Sequence, residues 1–386
     1  MWRKVALPVA MVCAMGAAAC GHSAPGQPHS TRQTIDVAED ACGTGWKNPR
    51  PGPQTISFRN TGGNPTTAVL MDAATGSVYA EVDNIASNTT RDTVVNLGGG
   101  RFVVRCGMEG SDNPMILGPA VTITGPPGGP AVQPVTAGDL YGPDKQYVEY
   151  VSAGLTGLAA DTDALRRDVD AGDLDSARTA WLTAHLDYER LGAAYDAFGD
   201  YDAKIDGNAN GLPAKANDSD FSGFHRVESG LWHGESAAAL APIADRLDDD
   251  VHGLVTDFPR IQVPILDLGL RTHEVLENTL QFELTGDDDY GSGSGLATAD
   301  ANVAGTRELL TVLRPVLRSR YPGLPQVDTW LDRFDALVDT HHTAAGWTPV
   351  TQLSAADREQ LNGTLGQLLQ YLAPIATICT PRKTFQ

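Results

Sequence analysis

The sequence predicts a small β domain followed by an all-α domain, and three observations lead to this expectation. Short runs of β-branched residues separated by Gly- and Asn-rich turns occupy residues 34–124. From residue 144 onward the chain consists of long Ala- and Leu-rich stretches with helical periodicity. Between the two patterns, residues 125–130 are all Gly or Pro, which is typical of a domain boundary. The length of 386 residues also exceeds that of one ordinary domain.

The beginning of the chain has the composition of a targeting segment. Two basic residues precede an apolar run at residues 5–19, which is shorter than the roughly 20 residues needed to cross a bilayer. We expect residues 1–19 to be a lipoprotein-type signal peptide and Cys20 to be acylated as the new N-terminus. Residues 20–33 would then form a flexible tether, with lipid as the membrane attachment. An ordinary cleavage site without lipid is the alternative.

The cysteines divide between the leader and the folded domains. Cys13 is removed with the signal peptide and Cys20 carries the lipid, which leaves Cys42, Cys106 and Cys379 in an oxidising compartment, where pairing is expected. We expect a disulfide between Cys42 and Cys106 because both lie in the predicted β domain. Cys379 is then free or buried.

Four short runs predict strands in the β domain, at residues 54–58, 93–97, 101–106 and 120–124. Within the third run, Phe102, Val104 and Cys106 alternate onto one face, as in a strand with one buried side. We therefore expect residues 34–124 to form a β sandwich. Residues 125–140 would be a Pro/Gly linker.

Residues 141–386 are predicted to form a helical domain of two four-helix layers. The predicted helices are residues 144–170, 173–199, 221–233, 237–257, 262–284, 296–320, 325–345 and 354–376. Gly, Pro and Asp residues separate these stretches, and Ser354 with Asp357 is typical of a helix N-terminus.

The charge of the chain excludes one class of partner. The sequence has 28 Lys and Arg against 48 Asp and Glu, a formal net charge of −20. Nucleic-acid binding depends on basic residues that neutralise phosphates, so we expect no nucleic-acid partner. An acidic protein is better suited to cations.

The stretch from Phe221 to Trp232, FSGFHRVESGLW, contains the clearest candidate metal ligands. On a helix, His225 and Glu228 are three residues apart and therefore lie on one face. An imidazole with a carboxylate suits iron, zinc or manganese. Further ligands must come from other helices, and the acidic candidates upstream are Glu189, Asp200, Asp202 and Asp206. An H-x-x-E pair by itself is common, and a surface histidine beside an acidic residue is the alternative.

A weaker candidate pair lies in a later predicted helix. His273 and Glu277 are four residues apart and could both point inward as ligands. The segment begins like a zinc-protease helix, but Glu277 stands where that motif requires a second histidine. A pair on the helix surface is the alternative.

Several of these stretches together resemble one known family. FSGFHRVESGLW, with HLDYERL and DYDAKID upstream and LTVLRPVL downstream, is similar to the imelysin-like domain of EfeO-type bacterial iron-uptake proteins. The resemblance covers nearly all of residues 144–386. The β domain is similar to the small cupredoxin-like domain of these proteins, and Cys42 with Cys106 matches its two-cysteine pattern.

The resemblance implies an extracytoplasmic protein, lipid-anchored to the cell membrane, that binds Fe²⁺ or Fe³⁺ in an EfeUOB-type uptake system. Its partners would be a membrane iron permease and a haem-dependent peroxidase. His225, Glu228 and Glu189 occupy the family's metal-associated positions, and Asp202 is the preferred ligand of the acidic segment, ahead of Asp200 and Asp206. Zinc or copper could bind the same ligand types. No catalytic residue is expected.

Two departures from the family pattern limit the site. Members often have a glutamate where this chain has Gly192, which leaves the full ligand set open. A blue-copper centre needs two histidines and a cysteine, but no histidine lies between Thr34 and Thr124, so none is expected there. Copper(I) could in principle bind near Cys106 through Met108, Glu109 and Met115.

Two other functions stay open. The imelysin family is named for a proteolytic activity, and His225 with Glu228 and one more carboxylate could leave a metal position open for water, as a metallopeptidase requires. A non-catalytic lipoprotein that binds an envelope polysaccharide or protein is the other alternative.

Overall fold

A computed structural model describes residues 32–380 except 39, 48, 108–115, 130 and 345. The predicted signal peptide, Cys20 and the tether up to residue 31 lie outside the described residues, as do Met108, Glu109 and Met115. The chain divides into two compact units, the first built mainly from residues before 130 and the second mainly from residues after it. None of the helices in the described ranges is long and apolar enough to cross a membrane.

The first unit contains two β sheets. Its described strands are β1 (Arg32–Asp36), β2 (Gly52–Arg59), β3 (Thr66–Asp72), β4 (Val78–Ile85), β5 (Thr90–Leu97), β6 (Gly100–Gly107), β7 (Ile116–Leu117) and β8 (Val121–Ile123). One sheet has the order β1-β2-β5, with β1 parallel and β5 antiparallel to β2. The other has the order β4-β3-β6-β7, and β8 also pairs with β6. β1 begins two residues inside the segment predicted as tether.

The two sheets bury their side chains in one core. Ile56 and Phe58 of β2 lie in the same apolar cluster as Leu70 of β3 and Phe102 of β6. A single apolar core shared by two sheets is the arrangement of a β sandwich. Strands β3 and β4 are not among the runs that the sequence analysis selected. The likeness of this unit to a cupredoxin stays a prediction.

Cys42 and Cys106 form a disulfide in this core, and Cys379 is a buried free thiol in the helical unit. The bridge joins residues 64 positions apart. It therefore closes a long loop of the β unit, an arrangement that restricts the unfolded chain.

The second unit is helical. Its described helices are α1 (Ala137–Asp170), α2 (Leu174–Glu189), α3 (Tyr195–Phe198), α4 (Asp200–Ile205), α5 (Gly223–Trp232), α6 (Ala237–Asp257), α7 (Asp267–Gln281), α8 (Gly295–Leu317), α9 (Leu324–Asp339) and α10 (Ala355–Cys379). Helices α1, α2, α5 and α6 pack with one another, as do α7, α8, α9 and α10. Helix α8 also packs on α1 and α2, which joins the two groups. The predicted order of a β domain followed by a helical domain is confirmed.

Helix α1 begins inside the segment predicted as linker, and a capping box explains why. The backbone N–H of Asp139 donates to Thr136 Oγ1 over 3.2 Å, and the backbone N–H of Thr136 donates to Asp139 Oδ2 over 2.8 Å. These two bonds satisfy donors that the first turn would otherwise leave free. The helix therefore starts at Ala137, seven residues earlier than its apolar periodicity indicates.

One predicted helix is interrupted, and the interruption redirects the acidic segment that follows it. The stretch predicted as helix 173–199 ends at Glu189 and continues as a short 3-10 turn and α3. Gly199 then has φ +57°, a left-handed conformation that suits glycine and separates α3 from α4. The chain between Glu189 and Gly223 consequently folds back on itself instead of extending α2.

Candidate metal centre

The helical unit contains a cavity of about 580 Å³. It is lined by residues of α2, α3, α4, α5, α7 and α8 and by the connections between α4 and α5 and between α7 and α8. Its acidic lining residues are Glu189, Asp202, Asp206, Glu228, Glu283, Asp288 and Asp289. Two histidines and one arginine also line it: His185, His225 and Arg271. Among the ionisable lining residues, acidic side chains therefore outnumber basic ones.

Three of the lining side chains converge closely enough to bind one metal ion. Each of His185, Asp206 and His225 offers a ligand atom within 4.8 Å of those of the other two. Asp206 Oδ1 lies 3.4 Å from His185 Nε2 and 3.6 Å from His225 Nε2. The two histidines are 3% and 5% exposed. We call these three residues the histidine cluster.

Helices α2 and α5 each carry a histidine of the cluster with a carboxylate on the same face. His185 Nε2 lies 3.2 Å from Glu189 Oε1, four residues further along α2. His225 Nδ1 lies 3.5 Å from Glu228 Oε2, three residues further along α5. These spacings place each pair on one helix face.

Trp181 of α2 links this helix to α5 next to the cluster. Its indole N–H donates to the backbone carbonyl of Phe224 over 2.9 Å, and its ring stacks on His185 with centroids 4.9 Å apart. Trp181 and Phe224 are fully buried. The imidazole of His185 is thus held by packing, as a metal ligand must be.

Glu228 is fixed from the opposite side by the connection between α7 and α8. Its Oε1 accepts hydrogen bonds from the backbone N–H groups of Tyr290 and Ser292, each over 3.0 Å, and from Ser292 Oγ over 2.6 Å. Burial by itself would raise the pKa of Glu228, but His225 and Ser292 hold it below its ordinary value. Oε2 is left to face His225 as an anion.

The charges of the histidine cluster stabilise one another. Burial opposes ionisation of Asp206, but the neighbouring His225 and His185 lower the pKa of its carboxyl. Burial likewise opposes protonation of the imidazoles, but Asp206 and Glu189 raise the pKa of His185, and Asp206 and Glu228 that of His225. Asp206 is therefore an anionic group placed between two imidazoles.

Two further carboxyls beside the cluster have pKa values raised above the ordinary value. Burial and the charge of Asp206 raise the pKa of Asp202 to about 7, and Tyr188 donates its hydroxyl to Asp202 Oδ1 over 2.8 Å. Burial and Asp206 also raise the pKa of Glu189. A bound cation would favour the ionised form of both groups.

The histidine cluster has polar atoms that no described residue satisfies. Both ring nitrogens of His185, Nδ1 of His225 and Oδ1 of Asp206 are buried and make no hydrogen bond of normal geometry within the described ranges. Except for His185 Nδ1, these atoms face an oppositely charged group at 3.2–3.6 Å, and a buried group without any partner costs about 1–3 kcal/mol. A metal ion coordinated by these atoms would remove that cost, so the donor set fits a metal.

The structure brings together most of the predicted site residues. His225, Glu228, Glu189, Asp202 and Asp206 all line the cavity. The preferred ligand among the aspartates differs from the predicted one. Asp206 lies between the two imidazoles, whereas Asp202 is bonded to Tyr188. From the sequence Asp202 is the preferred ligand, since nothing in the sequence shows how the segment after α2 folds back.

Three predicted candidates do not line the cavity. Asp200 is exposed in the first turn of α4. His273 and Glu277 form a partly exposed pair on α7, with His273 Nδ1 3.3 Å from Glu277 Oε2. This placement agrees with the alternative that His273 and Glu277 form a pair on the helix surface.

The structure also adds residues that the sequence analysis did not select, namely His185, Glu283, Asp288 and Asn302. For His185 a signal was present, because His185 and Glu189 have the same four-residue spacing as His273 and Glu277. The other three belong to no local motif with a histidine.

A second group of possible ligands lies outside the cavity, formed by Asp163, Asp248 and His252. Asp248 already accepts hydrogen bonds from Arg166 Nε over 3.1 Å and from Thr162 Oγ1 over 2.9 Å. A guanidinium therefore supplies the positive charge that a metal would bring.

Comparisons with known proteins identify the family of the helical unit. The family model of imelysin, peptidase family M75, matches residues 144–374. The chain is 27% identical over 299 residues to the iron uptake system component EfeO of Escherichia coli K12, which covers 77% of this chain and 78% of the relative. EfeO of E. coli O157:H7 and of Shigella flexneri match with the same identity and coverage. Because the family model covers more than half of the sequence, the chain belongs to the imelysin family.

Proposed function

We propose that this protein captures iron as its cargo at the histidine cluster and delivers it to a membrane permease. The observation that carries the proposal is the convergence of His185, Asp206 and His225 within 4.8 Å in a buried, acidic cavity. Imidazole and carboxylate ligands suit iron in both common oxidation states. Zinc and copper bind the same ligand types, so the supply of metal also decides which ion occupies the site.

The charge of the protein supports capture of a cation. The full chain has a net charge of −20, and seven acidic residues line the cavity. A cleft lined by one sign of charge raises the local concentration of the oppositely charged ion and the rate at which it binds. In the proposed role the iron is bound and passed on, and the protein carries out no chemical step on it.

The setting of this role is an extracytoplasmic iron uptake system. The named relatives are iron uptake system components, and the sequence begins with an apolar run followed by Cys20 that is typical of a lipoprotein signal. We propose that lipid on Cys20 anchors the protein to the cell membrane. A haem-dependent peroxidase completes the proposed set of partners and would carry out any oxidation of the iron.

A metallopeptidase is the second candidate, because the matching family model carries a peptidase name. A peptidase needs a metal-bound water and a base that accepts its proton. Glu189 and Asp202 are the carboxylates beside the cluster that could accept a proton. Cleavage of casein by the metal-loaded protein would support this candidate.

Fluorescence of Trp181 offers a test of both iron binding and its location. Because Trp181 stacks on His185, iron in the histidine cluster is expected to quench its emission, with saturation at one ion per chain. Trp232 lies on α5 with its ring 5.2 Å from that of Trp181, so both are changed: a Trp181→Phe/Trp232→Phe variant should lose most of this quenching and still bind iron by calorimetry. A Trp330→Phe variant, changed on α9, should keep it. Absence of iron binding, or full quenching in the double variant, would contradict the proposal.

Ser292 is expected to tune the site through Glu228. Ser292→Ala removes one of three donors to Glu228 Oε1, so the carboxylate is held less firmly and its pKa rises. We expect iron affinity to fall about 10-fold, as is common for groups that orient a ligand. Ser294→Ala is the matched control, because Ser294 Oγ contacts Ser292 Oγ and is not among the donors to Glu228 Oε1. Calorimetry that gives equal affinities for the two variants would refute this role.

A further inference from the structure

Part of the wall of the cavity is an irregular segment between α4 and α5. This covering segment, residues 208–221, contains two 3-10 turns, at Ala209–Gly211 and Lys215–Asn217. Asn208, Asn210 and Gly211 line the cavity, and the last two are also exposed to solvent. At these positions a single layer of chain separates the cavity from solvent.

Among the described residues, Tyr290 supplies the hydrogen bonds that join the covering segment to the rest of the protein. The backbone N–H of Ala209 donates to Tyr290 Oη over 2.9 Å, and the Tyr290 hydroxyl donates to Asn208 Oδ1 over 3.1 Å. The other hydrogen bonds of the segment join two of its own residues, as between the N–H of Leu212 and the carbonyl of Ala209. Phe221, at the end of the segment, contacts the Tyr290 ring with centroids 5.2 Å apart. Loss of one hydroxyl would therefore remove both hydrogen bonds that hold the segment.

Tyr290 itself lies on a firmly held part of the connection between α7 and α8. Its backbone N–H donates to Glu228 Oε1 over 3.0 Å, and the backbone N–H of Gly291 donates to Asp289 Oδ1 over 2.8 Å. The backbone of Gly291 also lies against α5, since a Cβ added there would be 2.8 Å from Trp232 Cβ. Tyr290 is therefore on the fixed side of the contact, and the covering segment is the side that can move.

We propose that Tyr290 is a latch that holds the covering segment over the cavity, and that a metal ion enters and leaves when its two hydrogen bonds to the segment open. The inference rests on the proposed function in taking the histidine cluster as the place where the ion binds. Segments held by few hydrogen bonds open at the smallest cost in free energy, so the helices that carry His185 and His225 need not move. In an uptake protein, such a latch sets how long iron is retained before it is passed on.

The position of the latch predicts an effect on rates without an effect on affinity. Tyr290→Phe removes the two hydrogen bonds but keeps the ring against His225, with centroids 5.1 Å apart, and the backbone bond to Glu228. The hydroxyl is bonded to no candidate ligand, so its loss changes the closed protein equally with and without a bound ion. Association and dissociation of the ion are then accelerated by the same factor, and Kd stays the same.

The test measures the release rate and the affinity of iron separately. Protein loaded with Fe²⁺ in the absence of oxygen is mixed with excess of the chelator ferrozine in a stopped-flow instrument, and Kd is measured by calorimetry. For Tyr290→Phe we expect release at least about 5-fold faster, since two hydrogen bonds of the closed form are lost, with Kd within about 2-fold of the wild type. Tyr201→Phe is the matched control, because the Tyr201 hydroxyl donates to Asp257 Oδ2 over 2.7 Å and its side chain does not line the cavity. Its release rate and Kd should not change.

Hydrogen exchange provides a second measurement that needs no metal. In metal-free Tyr290→Phe, the backbone amides of Leu212 and Lys215 should exchange at least about 5-fold faster than in the wild type. Both amides donate to carbonyls within the covering segment and not to Tyr290. Their faster exchange would therefore report opening of the whole segment. Tyr201→Phe should leave their exchange unchanged.

The outcomes separate the latch from the proposed function. If Tyr290→Phe releases iron as slowly as the wild type, or if its Kd rises by the same factor as its release rate, the latch is overturned and iron binding by the wild type still stands. If the wild type binds no iron, the proposed function fails, and hydrogen exchange decides whether Tyr290 holds the segment: faster exchange in Tyr290→Phe supports the latch and unchanged exchange overturns it. If Tyr290→Phe does not fold, Asn208→Ala takes its place, because it removes the acceptor of the Tyr290 hydroxyl. Faster release at equal Kd in that variant supports the latch, and unchanged release overturns it.

Discussion

Replacing Asp206 by Asn is expected to weaken iron binding at least 100-fold. Asp206 Oδ1 lies 3.4 Å from His185 Nε2 and 3.6 Å from His225 Nε2, so it is the anionic member of the histidine cluster. Asparagine keeps the shape of the side chain but supplies a neutral oxygen. Groups that only orient a ligand change metal affinity by about 10- to 100-fold, and a direct anionic ligand should exceed that range. Isothermal titration of the metal-free protein with Fe²⁺ measures the change.

Two aspartates of α4, the helix that ends just before Asp206, provide matched controls for this experiment. Asp200→Asn removes the same charge at an exposed position that does not line the cavity, so affinity should stay within 2-fold of the wild type. Asp202→Asn should have an intermediate effect of about 10-fold, because Asp202 lines the cavity but is bonded to Tyr188. Thermal unfolding of each variant checks that the fold is retained. A larger effect at Asp202 than at Asp206 would show that the ion lies elsewhere.

The fold was predictable because its signals are local. Helical periodicity and Gly, Pro or Asp punctuation gave α5, α6 and α10 to within three residues of their observed ends. The start of α1 was missed because the apolar pattern begins later than the Thr136–Asp139 capping box. The strands β3 and β4 were missed although β3 contains the β-branched residues Thr66, Thr67 and Val69, so the composition of that run also favours a strand.

The candidate site was predictable only in part, because it depends on contacts between distant segments. His225 and Glu228 form a recognisable pair on one helix, and the acidic residues before them were visible as a group. The sequence does not show which of these acidic residues lies nearest the histidines, because Asp206 reaches them only through the reversal of the chain after Glu189. Glu283 and Asp288 enter from the connection after α7, a segment that contains no histidine and no metal-ligand spacing.

Replacing Gly223 by Ala is expected to damage both stability and iron binding, although no ligand is changed. Gly223 is the first residue of α5 and has φ +77°, a left-handed conformation that costs about 1–2 kcal/mol for other residues. A Cβ at this position would lie 2.2 Å from the backbone oxygen of Ile205 and 2.6 Å from that of Lys204. Backbone atoms cannot rotate away, so the start of α5 must move from the end of α4.

That movement would separate His225 from Asp206, because the two residues lie two positions beyond Gly223 and one position beyond Ile205. We expect Gly223→Ala to lower the free energy of unfolding by at least about 2 kcal/mol and iron affinity at least 10-fold. Urea denaturation and calorimetry at low temperature, where the variant stays folded, measure the two effects. Gly157→Ala in α1 is the matched control. Its added Cβ meets no atom within 4 Å, so the free energy of unfolding should rise by about 0.5–1 kcal/mol with iron affinity unchanged. Wild-type affinity in Gly223→Ala would show that the close contact between α4 and α5 does not position the histidine cluster.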